Sequence, residues 1–275
     1  VLRGVRYLIG RQDPDSGRIG AVDSWNFVTE HALATQVLAE AAYSSRSPAV
    51  HRAAQKATTY LLRARNPYAA WRYEVPPTGD NDTMVTGAIA LALATARDVG
   101  LTVDATAFEG ALAWIDEVTD PATGRIGYDA MGSWDARYDF NTRFLPEKGE
   151  AMTALGLLCR LFLGQDPKDH PIMEKHADLL RRTPPTWDPE GFGCDMISWY
   201  YGTYAMFQMG GSHWKNWNQA MKKAVLESQR KDGHHAGSWD PVGPWGGVGG
   251  RVYATALMSL CLEVYFRYAK VLGAR

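Results

Sequence analysis

Apolar residues in this chain fall into two kinds of run. In AVHRAAQKATTYLLRA, Ala54, Ala57, Leu61 and Leu62 share one helical face while Arg52, Lys56 and Arg63 look outward, the pattern of a half-wetted helix. Ile89 to Ala94 and Ala154 to Leu158 are instead apolar on every side, and a helix without a polar face has to be enclosed by others. Each dry run follows a threonine: Thr35, Thr86, Thr153, Thr203 and Thr255, in the texts ATQVLAEA, VTGAIALALA, MTALGLLCRLF, GTYAMFQM and ATALMSLCLEV. Their spacings are 51, 67, 50 and 52 residues, a common step with one stretched interval, which marks a repeat architecture. A second marker agrees: DPDSGRIG (Asp13 to Gly20) returns 107 residues later as DPATGRIG (Asp120 to Gly127), with NPYAAWRY (Asn66 to Tyr73) halfway between.

The repeating unit therefore reads as an outer half-wet helix, a Gly/Pro-rich turn and an inner dry helix. Period-two patterning is scarce, so the expected class is all-α. Hairpins of this kind close into an α/α toroid with the dry helices inside, and Gly87, Ala88, Gly156 and Gly202 allow close helix approach. The expectation is one domain over residues 1–272, with five hairpins, or six if another lies upstream. The surplus in the 67-residue step falls in Asp129 to Pro146 (DAMGSWDARYDFNTRFLP). A loop that long is functional or disordered. Trp134, Tyr138, Phe140 and Phe144 are too many aromatics for disorder, so an ordered flap over one end of the ring is expected.

Composition narrows the function classes. At 275 residues and 46% apolar content the chain can bury one large core. A formal charge of −1 supplies no field to draw in nucleic acid or anionic membrane. No apolar stretch reaches the roughly 20 residues of a membrane span, and the last one, Ala254 to Tyr265, carries Glu263 and continues to Arg267, as a core helix would. Cys159, Cys194 and Cys261 are too few for a disulfide framework, and Cys159 and Cys261, at equivalent inner-helix places, read as buried thiols. The sequence starts at Val1 inside the helical text LRGVRYLIGRQ without a signal peptide, the expectation for a fragment or processed product, which leaves localisation open.

Gln229 followed by Gly237-Ser238-Trp239 matches a QW-type repeat with a lengthened spacer, and Gln12 with Gly17, and Trp71, are degenerate copies. With NDTMVTG, GGSHWKNWN and GGRVYATAL, these residues make the chain resemble the squalene-cyclase and prenyltransferase repeat proteins, the terpenoid-cyclase-like α/α toroids, in a bacterial branch. The resemblance covers essentially the whole chain. It is specific for fold and weak for reaction, since one superfold hosts many functions. Class II members of that family protonate an alkene from Asp-x-Asp-Asp. The match here is Asp80-Asn81-Asp82-Thr83. Aligned from the left it implies Asp82 as proton donor with Thr83 in place of a supporting acid. Aligned on the threonine it puts Asn81 in the donor place. The competing reading is a helix N-cap at Asp80 or Asp82. The Asp-Asp-x-x-Asp cluster of class I enzymes and the Cys-Gly-Glu-Gln thioester motif are absent. Cys194, Asp195 and His213 depart from the family's zinc spacing, and His234-His235 reads as a solvated loop, so neither a metal nor a cofactor is implied.

In a toroid every inner helix starts at the same end, where helix N-termini favour acids. Glu30, His31, Asp80, Asp82, Glu147, Glu150, Asp195, Tyr200, Tyr201, Arg251 and Tyr253 should meet there. Candidate catalytic acids are Asp82, Asp80, Glu30, Glu150 and Asp195. Candidate binding residues are His31, Trp199, Tyr200, Tyr201, Tyr204 and Arg251, with Trp199 to Tyr204 as a cavity wall. The bland alternative is that the acids cap five helices and bind Arg251, and that tryptophans such as Trp214 and Trp217 pack between hairpins. Three functions compete. One is a binding or assembly module, for a small lipid-like or glycan ligand or a protein partner, that has lost the catalytic set. The others are a class II cyclase-like enzyme using Asp82 and an acid/base carbohydrate-active enzyme using the convergent carboxylates.

Overall fold

The computed structural model describes residues 2–67, 70–190 and 192–271, so Val1, Leu272 and two residues of the NPYAAWRY copy, Tyr68 and Ala69, lie outside the described residues. The protein is all-helical: among the described residues there are ten α-helices and no strand, only two isolated bridges. Two compact units divide the chain, Val1–Glu117 and Val118–Arg275. Among the described residues no helix is long and apolar enough to cross a membrane.

The first unit holds α1 (Leu2–Gly10), α2 (Phe27–Ser45), α3 (Pro48–Arg63), α4 (Thr83–Asp98) and α5 (Thr106–Glu117). Pro48 opens α3 at a position where its missing N–H costs nothing, and the helix then buries Val50, Ala53, Ala54, Ala57, Thr58 and Leu61 on one side. The dry run behaves as its pattern requires: α4 is buried at Thr83 and from Val85 through Ala96. It lies against α2, with α3 and α5 also in contact.

The second unit holds α6 (Ala151–Phe162), α7 (Ile172–Arg182), α8 (Met196–Met209), α9 (Gly211–Ser228) and α10 (Gly246–Val271, interrupted at Gly250, φ 65°, ψ −166°). Here α8 packs between α6 and α10, while α7 and α9 sit behind as the half-wet layer. Helix α6 is buried from Ala151 through Arg160. Helix α10 departs from the all-round dryness of its text: Ala254, Met258, Cys261 and Val264 are buried, but Val252 and Phe266 are 83% and 71% exposed.

The repeat has a physical cause, visible in three turns built alike. Asp13 N–H donates to Arg18 O (2.8 Å) and Gly17 N–H to Asp13 O (3.0 Å). Asp120 N–H donates to Arg125 O (2.9 Å) and Gly124 N–H to Asp120 O (2.8 Å). Arg230 N–H donates to Ser238 O (2.9 Å) and Gly237 N–H to Arg230 O (2.8 Å). The closing residue stands at φ 82°, 79° and 82° in the three turns, a left-handed conformation that selects glycine. A Cβ on Gly17 would also lie 2.5 Å from Lys56 O of α3, and one on Gly124 2.6 Å from Lys175 Cβ of α7. The glutamines of the QW-type text brace these turns, Gln12 and Gln229 each donating from Nε2 to Gly17 O or Gly237 O at 3.0 Å.

The tryptophans and threonines finish the join. Trp71 and Trp239 donate their indole N–H to Leu61 O (2.9 Å) and Val225 O (2.7 Å), carbonyls in the last turns of α3 and α9, where the backbone N–H partners run out. The marker threonines then accept the N–H of the incoming segment: Thr86 from Trp71 (3.1 Å), Thr153 from Ile126 (3.2 Å) and Thr255 from Trp239 (3.3 Å). Thr203 takes the indole N–H of Trp217 instead, at 3.0 Å. A hydroxyl one turn into a dry helix is thus the latch between turn and inner helix at three of the five steps; Thr35 instead donates to His31 O at 2.8 Å, and the Ile19 N–H is taken by His31 Nδ1.

Candidate functional site

In the second unit the starts of α6 and α8 gather a cluster of charged side chains. Glu150 precedes α6, and its carboxylate is held by Arg125, with Nη2 at 2.9 Å and Nε at 3.2 Å from Oε1. The Thr153 hydroxyl donates to the other oxygen at 2.9 Å. Trp134 of the flap lies under the Arg125 guanidinium, 3.5 Å from its ring centroid. Asp195 caps α8, accepting the Ser198 N–H on Oδ1 at 3.1 Å, while Ser198 Oγ accepts the Glu150 N–H at 3.2 Å. Arg137 Nη2 stands 3.7 Å from Asp195 Oδ2. A methyl group on Gly149 would come within 2.6 Å of that same oxygen, so a side chain there would displace the Asp195 carboxylate.

The segment anticipated as a flap supplies the third acid. Asp135 accepts the first N–H groups of α6, Ala151 on Oδ2 at 3.2 Å and Met152 on Oδ1 at 3.3 Å. Arg137 donates to Phe144 O at 2.9 Å, and Asn141 ties the flap to Pro244 O at 3.1 Å. Tyr138 and Phe140 pack on Trp245 with centroids 6.0 Å away, and Phe144 meets Phe192 edge-on. Burial, then the neighbouring Asp195 charge, push the Asp135 carboxyl up to about 7. Arg137 and the Met152 N–H act against them and Glu150 adds to them. Tyr253 of α10 is raised by burial and by Asp195 and Tyr201.

A carboxyl whose folded value lies above its unfolded value near 3.8 binds more protons folded than unfolded between those values. Its stabilisation is therefore complete below the unfolded value and is lost as pH rises through about 7. Buried His31 (held down to about 4) and His176 (about 3) act oppositely, losing stability as pH falls below their unfolded value near 6.5. The Asp135 contribution is thus read as a difference. Denaturant unfolding from pH 4 to 8 is expected to show Asp135→Asn gaining on wild type as pH rises. A constant difference across that range would deny the elevated carboxyl.

The other anticipated residues take different places. Asp82 caps α4: Oδ1 accepts the Val85 N–H at 2.8 Å, its backbone N–H donates to Trp71 O at 3.0 Å, and the residue has no exposed surface. Asp80 is exposed with Arg72 3.7 Å away. Glu30 is exposed and accepts the Ser24 hydroxyl at 3.3 Å. His31 is wholly enclosed, accepting the Ile19 N–H on Nδ1 (3.0 Å) and donating from Nε2 to Ala57 O (3.1 Å), so both ring nitrogens are engaged in joining a turn to α3. Arg251 does not bind the helix-end acids. It donates to Asp240 at 2.6 Å, a carboxylate it shares with Arg230, because the preceding turn folds back over the start of α10.

The aromatic candidates are mostly core. Trp199, Tyr201 and Tyr204 are buried, and the Tyr204 hydroxyl donates to Leu260 O at 2.8 Å, fastening α8 to α10. Tyr200 is half-buried with Tyr201 and Tyr204 rings at 4.8 and 5.2 Å. The three cysteines are buried thiols; Cys159 and Cys261 are pushed up to about 12 and Cys194 to about 11, chiefly by burial. Among the described residues no three His, Cys, Asp or Glu side chains are grouped to hold a metal ion.

Sequence reasoning missed Asp135, Arg137 and Arg125. Arg125 carried a signal, standing inside the duplicated octapeptide. Asp135 and Arg137 carried only their place in the flap. Comparison with known protein families found no matching family model, and no characterised protein matched the sequence significantly.

Proposed function

We propose that the chain is a binding or assembly module built on a helical repeat of the squalene-cyclase and prenyltransferase type, with its helix-end acids given over to structure. The observation that carries this reading is the state of Asp82. Its carboxylate accepts the Val85 N–H at 2.8 Å in a fully buried helix cap, and a proton donor to an alkene has to reach the alkene. Glu150, bound by Arg125 and Thr153, and Asp195, capping α8, are committed in the same way. The braced Gln–Gly–Trp turns support the repeat type, and the ligand it carries is lipid-like, glycan or protein. Incubation with squalene and with polyprenyl diphosphates is expected to return them unconverted from both wild type and Asp82→Asn. Conversion by wild type that disappears in Asp82→Asn would replace this reading with the cyclase one.

A second reading rests on Asp135 alone. Two neighbouring carboxyl groups, one raised to about 7, form the kind of pair that divides general acid from general base. Glycoside turnover abolished in Asp135→Asn would favour it.

A further inference from the structure

Helices α7 and α9, the half-wet layer of the second unit, touch one another and border a groove of about 340 Å³. Its α9 side is one stripe: Asn216, Gln219, Ala220 and Lys223 stand at i, i+3, i+4 and i+7, which places them on one face of the helix. Arg181, in the last turn of α7, and Pro184, just past its end, line the groove as well, and buried Trp217 adds apolar surface to it. The volume lies within the range of small-molecule sites. A ligand can enter from solvent, because Arg181, Asn216, Gln219 and Lys223 are all exposed.

The chemistry of this lining is one-sided. Among the described residues no acid lines the groove. Arg181 meets Asp178 one turn earlier, Nη1 at 3.4 Å from Oδ1, but both side chains are about half exposed, so water screens the pair and the rest of the guanidinium is left over. Asn216, Gln219 and Lys223 make no hydrogen bond or ion pair among the described residues. The two helices together carry six Lys and Arg against three Asp and Glu, in a chain whose formal charge is −1. Such a local excess draws anions to this face.

We propose that the groove between α7 and α9 is a binding site for a small phosphorylated polyol, with the phosphate held between Arg181 and Lys223. A phosphate has several terminal oxygens to share between the planar fork of an arginine and the ammonium of a lysine. The carboxamides of Asn216 and Gln219 both donate and accept, which matches the hydroxyl groups of the polyol. Ala220, Pro184 and Trp217 meet its carbon skeleton. The site uses none of the inner-helix acids, so it stands or falls separately from either reading of them.

The test is an NMR titration with glucose 6-phosphate, against sodium chloride at equal ionic strength, following the side-chain amide signals of Asn216 and Gln219. Both signals, identified by their loss in Asn216→Ser and Gln219→Ser, are expected to shift saturably. Affinity should fall by about fivefold or more in Lys223→Gln and in Arg181→Gln. Lys222→Gln removes the same charge from the same helix beside the groove and should change affinity by less than about twofold. All these side chains are exposed, so the variants are expected to fold. Unmoved amide signals overturn the site. Equal losses in Lys222→Gln and Lys223→Gln also overturn it, since the general charge of the face would then be the cause. Inorganic phosphate binding as tightly as glucose 6-phosphate overturns the polyol part.

Discussion

Trp217→Ala is expected to lose about 3–5 kcal/mol of stability, as truncations of fully buried large aromatics do. Trp217 of α9 is 1% exposed, and its indole N–H donates to Thr203 Oγ1 of α8 at 3.0 Å, so the substitution opens a cavity and also removes a buried hydrogen bond. The ring fits α8 because residue 202 has no side chain: a Cβ there would stand 2.5 Å from Trp217 Cζ2. Gly202→Ala alone should therefore be destabilising through overpacking, by about 1–3 kcal/mol. The decisive observation is the pair together. In the Trp217→Ala background, Gly202→Ala fills part of the void and should be neutral or stabilising. Circular dichroism during urea unfolding reads all four proteins. Equal costs of Gly202→Ala in both backgrounds would show that the ring and the glycine are not packed as described.

Arg125→Met should cost about 3 kcal/mol, because it leaves the Glu150 carboxylate, 5% exposed, without its cation. Glu150→Gln is expected to cost less on its own, since the amide oxygen still accepts from Thr153. Combined with Arg125→Met it should recover a large part of the loss, the removal of both charges being cheaper than the removal of one. Simple additivity in a double-mutant cycle would mean that the 2.9 Å ion pair carries no coupling. Trp134 gives a further handle: its indole fluorescence should change in Arg125→Met, the guanidinium being 3.5 Å from the ring centroid.

The helices were legible because their pattern has few solutions. A run such as Ile89 to Ala94 can only be enclosed, and Val85 through Ala96 are buried. The threonine before each run was legible as a marker but not as a latch. That role depends on an N–H that arrives from elsewhere, 15 residues earlier at Trp71 for Thr86 and 27 earlier at Ile126 for Thr153. The N-cap at Asp82 follows from local chemistry, an acid directly ahead of a helix.

Within the cluster, local rules run out. Glu150 and Asp195 are adjacent to helices and so were identifiable, but Asp135 sits in an irregular segment with no period to fix where its carboxylate goes. It caps a helix that begins 16 residues later. Arg251 illustrates the opposite failure. Its place at a helix start suggested the helix-end acids, yet the turn before α10 brings Asp240 to within 2.6 Å and takes the charge. Arg18 and Arg125 look identical as text. What separates them is the ion pair Arg125 makes with Glu150 at 2.9 Å, which the octapeptide alone does not encode.

The claim that matters most is that the helix-end acids hold structure rather than chemistry, and Asp82 tests it most directly. Asparagine caps a helix about as well as aspartate, whereas alanine loses about 0.5–2 kcal/mol. The measurement is the urea unfolding midpoint of Asp82→Asn and Asp82→Ala beside wild type, with the polyprenyl assay run on the same samples. The account predicts a midpoint for Asp82→Asn close to wild type, a clear loss for Asp82→Ala, and no turnover in any of the three. A stable Asp82→Asn protein that has lost a wild-type conversion would contradict it.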